Sequence, residues 1–450
     1  SGPFALPILG NLHQLGKLPH HILTDFHKVY GPIYRLFFGD IYTVVVSDPS
    51  LIKQICIDNA DLIGNNRPVT PIFKHVQGGR GLSTSNFEQW HKNRNILNNA
   101  MKRSSTKKIY DLLGHQANEL VKSMKKFSTS GEPFEIHLYA HRYSLATMFK
   151  YLFDENIDYN EDISKSKVAE FNTLFVNIIK DLSTGNLGDF INILSPFYYW
   201  YLSLTEKNVN LIKDFLRTKY DNHLSTIDFE NPRDFLDILI KEYGTKKDTK
   251  ESIVSVCFDL FLAGSDTVAI TMEWFTLRMC NNKDIQEKAY NELKNVAGDR
   301  NYLKLSDRAS TPFFNAVIKE TLRSSPVSAF GLPKYSIQDI NIGDHFIPKH
   351  SQILINYRGL SYNENYFENP KEFNPLRFLN KNNDAYMPFS IGERSCAGTT
   401  LASDELYLAL SNILLNFEIS SIDGKIIDDS EIFGLTLKPN PFKVSLKSKY

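Results

Sequence analysis

The spacing of hydrophobic positions changes several times along the chain. Over residues 33–47, "IYRLFFGDIYTVVVS", apolar and β-branched residues flank Gly39-Asp40, which predicts two strands joined by a tight turn. The spacing is then helical, with apolar residues recurring at three and four positions over 107–126, 168–182, 206–224 and 283–296. Strand character returns at 335–356, where "NIGDHFIPKH" supplies turns, and as short strands at 430–448. Residues 361–388 are rich in Asn and Pro and predict a long irregular segment, of the kind usually specialised for function or structure. A helical pattern resumes at 399–416. The whole predicts a mainly α chain with a small β region. Without an internal repeat, a low-complexity tract or a convincing linker, one integrated domain over residues 1–450 is expected.

Composition narrows the function classes. Net charge is zero, which argues against a nucleic-acid binder that relies on global charge. The four cysteines, Cys56, Cys257, Cys280 and Cys396, form no CxxC pair, so neither a zinc site nor a disulfide framework is indicated, and a reducing compartment fits. No run approaches the roughly 18 consecutive apolar residues of a membrane-spanning helix. The lead-in "SGPFALPILGNLHQLG" is punctuated by Pro and Gly and reads as irregular.

One cysteine stands apart. In "FSIGERSCAG", Cys396 lies between Gly392 and Gly398, two residues after Arg394 and just before the 399–416 helix. Glycines permit tight turns or a close approach to a ligand. A helix N-terminus lowers a thiol's pKa, and the thiolate is a nucleophile or a metal ligand. With no second soft ligand nearby, a single thiolate on one metal suggests haem iron, where thiolate donation favours O–O cleavage. The alternative is a small buried hydrophobe.

The flanking residues match in full FxxGxRxCxG, the haem-binding loop signature of the cytochrome P450 superfamily, with Phe389, Gly392, Arg394, Cys396 and Gly398 at its fixed positions. The rest of the chain resembles that family in the same order. "FEQWHKNRNIL" matches its W-x-x-x-R helix with Trp90 and Arg94. "LAGSDT" resembles its oxygen-activation motif with Ala263, Gly264, Asp266 and Thr267. "KETLR" supplies its Glu-x-x-Arg pair, Glu320 and Arg323, and "FENPKEFNPLRF" the associated Arg377.

The resemblance implies the family's triangular helical prism, haem b bound through Cys396, and haem propionates held by Trp90, Arg94 and Arg394. Arg67 and Lys334 stand where relatives place a basic or His contact, and Lys334 departs from the His of many animal relatives, offering a point charge rather than a planar fork. Glu320, Arg323 and Arg377 are expected to form a structural network. Gly264 and Ser265 are expected to distort their helix and widen a groove in which Thr267, with Asp266, delivers protons. Asp266 should point about 100° away, toward solvent or a relay. The alternative is a glycine kink with Thr267 bonded back to the preceding turn. Ala263, Phe330, Leu332 and Phe433 are expected to wall an apolar substrate pocket assembled from 68–84, 183–200, 258–267, 328–332 and 432–436. Phe330 and Phe433 read equally as core aromatics.

The activity so implied is monooxygenation of a hydrophobic small molecule with O2, using electrons from an NADPH-dependent flavoprotein reductase carrying FAD and FMN. No dinucleotide or flavin fingerprint lies in the chain itself. The basic stretch 91–110 is the expected docking face, a solvated helix face being the alternative. The resemblance further implies a native anchor ahead of Ser1 and a place on the cytosolic face of the endoplasmic reticulum. The aromatic segment 189–204, "DFINILSPFYYWYLSL", is expected to touch the membrane, or else to be a buried loop over the pocket. The competing activities are a reductase-independent haem-thiolate isomerase, dehydratase or peroxygenase, and a non-catalytic haem-binding protein.

Overall fold

The Gly39-Asp40 turn folds as its sequence requires. β1 (Ile33–Phe38) and β2 (Ile41–Val46) pair antiparallel, from Ile33 opposite Val46 to Phe38 opposite Ile41. Gly39 has φ of 57°, and a Cβ there would lie 2.3 Å from the Phe190 carbonyl oxygen, so conformation and space both demand glycine. The structure, a computed structural model, describes residues 1–104, 107–183, 186–246, 249–379 and 383–450.

The later strand region supplies β3 (Lys334–Tyr335), β4 (Ile340–Ile342), β5 (His345–Ile347) and β6 (Gln352–Ile355). β6 pairs parallel with β2 and antiparallel with β3, so one sheet of order β1-β2-β6-β3 joins residues near the start of the chain to residues beyond 330. β4 and β5 form a separate hairpin. Three further strands follow β7 (Phe417–Ser421): β8 (Glu431–Ile432), β9 (Lys438–Pro439) and β10 (Val444–Ser448). β10 pairs with β7, and β8 with β9.

Helices fill most of the remaining chain, in agreement with a mainly α fold. The predicted helical stretches appear as Lys107–Ser130, Lys167–Ser183, Asn208–Thr226, Lys283–Ala297 and Thr399–Asn416. The longest, Thr249–Asn281, is apolar around most of its circumference and is the core element. Ile136–Phe153 packs along it. Among the described residues it is also the single helix long and apolar enough to cross a membrane, a property it owes to burial inside the protein.

Two features were not foreseen. β7 continues directly from the apolar end of Thr399–Asn416, where no break in hydrophobicity marks the change. Residues Gln54–Asp58 and Ala60–Gly64 form two π-helical turns, with Asn59 N–H donating to Gln54 at 2.9 Å and Asn65 N–H to Ala60 at 2.6 Å. Such turns are rare and concentrate at functional sites. Here they carry the Cys56 and Gly64 carbonyls up to the site.

Candidate functional site

The segment after Met387 is a tight loop. Cys396 N–H donates to the Phe389 carbonyl at 2.9 Å, and Ser395 N–H to Gly392 at 3.0 Å. Gly392 has φ of 80°, and a Cβ there would meet the Cys56 carbonyl oxygen at 2.2 Å. The loop ends in the N-terminus of Thr399–Asn416, capped at Gly398. A Cβ on Gly398 would meet only the Cys396 sulfur, at 4.0 Å, so the space beside this glycine is open.

That space belongs to a cavity of about 400 Å³. Phe389, Cys396 and Gly398 form one wall, and Ala263, Gly264 and Thr267 of Thr249–Asn281 the other. Trp90, Arg94, Arg67, Lys334 and Arg394 gather at its edge. Its surface is mostly apolar, as in small-molecule sites generally. Leu332 also lines it, as do Leu82 and Ser83 of the 68–84 stretch. Phe330 and Phe433 stand outside it: Phe433 stacks on His20 with centroids 5.2 Å apart, and Phe330 packs against Phe433. Segments 183–200 and 432–436 contribute nothing to its lining among the described residues.

The cations at the edge are held by backbone carbonyls. Arg394 donates to Asn65, Leu82 and Ser85 and lies over the Trp90 ring. Arg67 donates to Leu332, Pro333 and Ser83, and the Lys334 ammonium to Gly64 at 2.9 Å. Burial lowers the pKa of these three and of Arg94. Mutual repulsion adds to this for Lys334, which reaches about 8, and for Arg394. Partly desolvated cations that repel one another are stabilised by an anion placed among them.

Cys396 corrects one expectation. Its thiol opens onto the cavity, and burial holds its pKa up. The Gly398 amide, the Thr399 hydroxyl and Arg94 pull it down but do not prevail. The helix end by itself therefore does not make a thiolate; a bound cation must displace the proton.

The opposite wall corrects another. Thr249–Asn281 runs as continuous α-helix through Gly264 and Ser265, with no π or 3-10 turn there. A Cβ on Gly264 would lie 2.7 Å from the Met148 sulfur, so this glycine serves close packing with Ile136–Phe153. The Thr267 hydroxyl donates to the Ala263 carbonyl at 2.8 Å, leaving its oxygen free to accept toward the cavity. Asp266 does turn away from the cavity, but into protein rather than solvent. It is buried, and the Thr436 hydroxyl donates to its Oδ2 at 2.8 Å. Burial raises its pKa.

Behind the site, Arg323 donates to both oxygens of Glu320, at 2.7 and 2.8 Å, and Arg377 to Oε1 at 3.2 Å. The Glu320 and Arg323 side chains have no solvent exposure, so this network is more consequential than a surface pair. Sequence reasoning missed Glu405, a cavity-lining carboxyl on the Thr399–Asn416 helix that follows Cys396. It bonds the Thr147 side chain, and burial pushes its pKa up to about 8.

In the basic stretch, Lys102 and Arg103 are exposed on Phe87–Ser104, and Arg103 pairs with Glu242. The side chains of Lys107 and Lys108 lie outside the described residues. Segment 189–204 runs from the end of the short helix Leu187–Phe190 into the helix Ser195–Thr205 and leaves Phe197 and Trp200 70% and 65% exposed.

Comparison with known proteins gives a consistent picture. The sequence profile of the family Cytochrome P450 matches residues 1–446. "Probable cytochrome P450 508A1" of Dictyostelium discoideum is 48% identical over all of this chain and 93% of its own length. "Probable cytochrome P450 508D1" of the same organism is 45% identical with the same coverage. A solved zebrafish cytochrome P450, described with progesterone, superposes with a TM-score of 0.85 over 96% of this chain and 99% of its own, at 23% identity.

Proposed function

Since this chain belongs to the cytochrome P450 family and is a haem-thiolate monooxygenase that uses O2, we propose that Cys396 holds the haem iron and that Trp90, Arg94, Arg394, Arg67 and Lys334 hold its propionates. The observation that carries this reading is the cavity itself. A thiol and a threonine hydroxyl line its two walls, and four cations with lowered pKa, Arg67 and Lys334 buried and Arg94 and Arg394 half-buried, crowd one edge. The residues fit the group: an iron cation would take the proton's place on Cys396, and two carboxylates would relieve the repulsion among the cations.

When bound, haem supplies the one-electron chemistry that splits dioxygen and transfers one oxygen atom to a substrate. The protein's residues do the rest. Ala263, Leu332 and the apolar walls exclude water and orient a hydrophobic small molecule. The Thr267 oxygen accepts a hydrogen bond from a water and holds it, and Asp266 supplies the proton. Two electrons come from an NADPH-dependent flavoprotein reductase docked on the exposed Lys102/Arg103 face.

The protein works on the cytosolic face of the endoplasmic reticulum, its aromatic Ser195–Thr205 helix in the lipid interface. Phe4 and Ile8 of the lead-in are also strongly exposed, and that lead-in pairs with β1 while the Phe190 carbonyl accepts from Asp40 N–H at 2.9 Å, so both apolar segments border one hairpin tip. The assignment of Cys396 is tested by the reduced carbon monoxide complex, whose Soret band should be strongly red-shifted. Cys396→Ala should abolish that band with helix content unchanged by circular dichroism; a surviving band overturns the assignment.

A further inference from the structure

Behind the Thr267 wall, a row of titratable side chains runs from Asp266 to the surface. Asp266 and Glu273 are seven residues apart and share one face of Thr249–Asn281. His141 and His137, one turn apart, belong to Ile136–Phe153, the helix packed along it. The His141 Nε2 lies 3.5 Å from Glu273 Oε1. His141 and Glu273 both act on the Asp266 carboxyl electrostatically, and Glu273 and His141 act on His137.

Two more elements border the row. Thr436 holds Asp266, and Lys438 of β9 lies close enough to influence both Asp266 and His137. At the outer end, His137 Nε2 is 3.9 Å from Glu135 Oε2, and Lys443 pairs with Glu135 at 2.5 Å. Side-chain exposure rises outward, from 5% at Glu273 through 13% at His141 to 33% at His137 and Glu135. The buried His137 Nδ1 has no hydrogen-bond partner among the described residues.

Such a row is costly to keep. The buried carboxylates Asp266 and Glu273 and the half-buried imidazoles beside them lose hydration that apolar side chains of similar volume would not need. Its inner end adjoins the residue preceding Thr267, and its outer end reaches water. We propose that Glu135, His137, Glu273 and His141 form the proton supply line to Asp266, with His141 as the positioning and relay residue of the last step.

The inference rests on the reading of Asp266 and Thr267 given above. Each transfer moves one proton and no electrons. Neutral His141, with its hydrogen on Nδ1, takes a proton at Nε2 from the Glu273 carboxyl and releases the Nδ1 proton to the Asp266 carboxylate. A ring flip restores the starting tautomer, and the imidazolium of His137 reprotonates Glu273. Asp266, once neutral, rotates about its side-chain dihedrals from Thr436 toward the Thr267 side and releases the proton to the water held there.

The test uses the haem-loaded protein. In its diamagnetic reduced carbon monoxide form, the His141 ring resonances are followed by NMR. Asp266→Asn and Glu273→Gln should each shift those resonances, since each alters a group beside the ring. Second, NADPH oxidation by the reductase-supported protein is followed without added substrate. His141→Gln should raise the peroxide released per NADPH severalfold, enlarge the solvent isotope effect and flatten the pH profile between 6 and 8. A merely structural histidine would leave isotope effect and profile unmoved. Unshifted His141 ring resonances in both carboxylate variants overturn the relay whether or not turnover is observed, and so does an unchanged His141→Gln profile. If Thr267→Ala releases peroxide while His141→Gln does not, the supply line falls and the role of Thr267 stands.

Discussion

The Arg394 guanidinium carbon lies 4.3 Å from the centre of the Trp90 ring. The indole is 2% exposed and forms a fixed platform, so the cation is oriented by stacking as well as by three backbone carbonyls. Trp90→Phe keeps a ring face but loses the N–H, and Trp90→Ala loses both. A hydrogen bond to a charged group contributes about 1.5–3 kcal/mol, so haem transfer to apomyoglobin should be roughly 10- to 100-fold faster in Trp90→Phe and faster again in Trp90→Ala. Equal transfer rates in all three proteins would remove Trp90 from the propionate site.

Gly392 has no tolerated substitute. Its positive φ and the Cys56 carbonyl 2.2 Å from any Cβ mean that Gly392→Ala must displace the loop carrying Cys396. The haem content of purified Gly392→Ala should fall severalfold while its far-ultraviolet circular dichroism stays near that of the parent. Gly398, which has open space around it, marks the contrast: Gly398→Ala should leave the loop in place and affect only what occupies the cavity.

Thr267 should be separable from haem binding. Because its hydroxyl already donates to Ala263, its contribution toward the cavity is as an acceptor. Thr267→Ala should give a normal carbon monoxide spectrum but more peroxide and less product per NADPH. Thr267→Ser, which keeps the oxygen, should retain most coupling. Tight coupling in the alanine variant would assign proton delivery elsewhere.

Glu405 predicts a pH dependence of stability. Its folded pKa, about 8, lies above the roughly 4.3 of an exposed glutamate, so between those values the folded state holds a proton that the unfolded state has lost. The stabilisation is fully present below the lower value and is lost as pH rises through the higher one. Glu405→Gln keeps the amide–hydroxyl contact with Thr147 and removes the titration. Relative to that variant, the parent's urea midpoint should fall between pH 5 and pH 8.5, by on the order of a few kcal/mol in stability. Parallel profiles for the two proteins would contradict it.

The exposed faces of Phe197 and Trp200 provide the membrane test. Phe197→Ser with Trp200→Ser should weaken sedimentation with liposomes severalfold at unchanged haem content, because interfacial aromatics supply much of such binding. Unchanged sedimentation would assign the patch to a protein contact.

The parts of this molecule that were legible in the sequence are those specified locally. The Gly39-Asp40 hairpin, the Thr399–Asn416 helix and the mainly α outline each announce themselves within a few residues. The gathering of Cys396, Thr267, Trp90 and Arg394 around one cavity was readable because each belongs to a short, spaced pattern. What escaped depended on distant partners. Gly264 looked like a helix-weakening residue because Met148, which fills its missing side chain, lies more than a hundred positions away. Asp266 read as facing either solvent or a relay because nothing near it names Thr436 as its donor. Phe330 and Phe433 carried no signal distinguishing a pocket wall from the packing beside it.

The parallel pairing of β2 with β6 has a consequence for how the protein is made. Val44, Val45 and Val46 align with Ile353, Leu354 and Ile355, so the valine edge of the first hairpin has no partner until about 300 further residues leave the ribosome. At roughly 5–20 residues per second that wait is on the order of 15–60 s. For its duration an apolar strand edge is open to any other nascent chain. The cell must shelter this hairpin with a chaperone or tolerate losses to aggregation, and slowing translation within the central helices should lower the soluble yield more than the same slowing after residue 355.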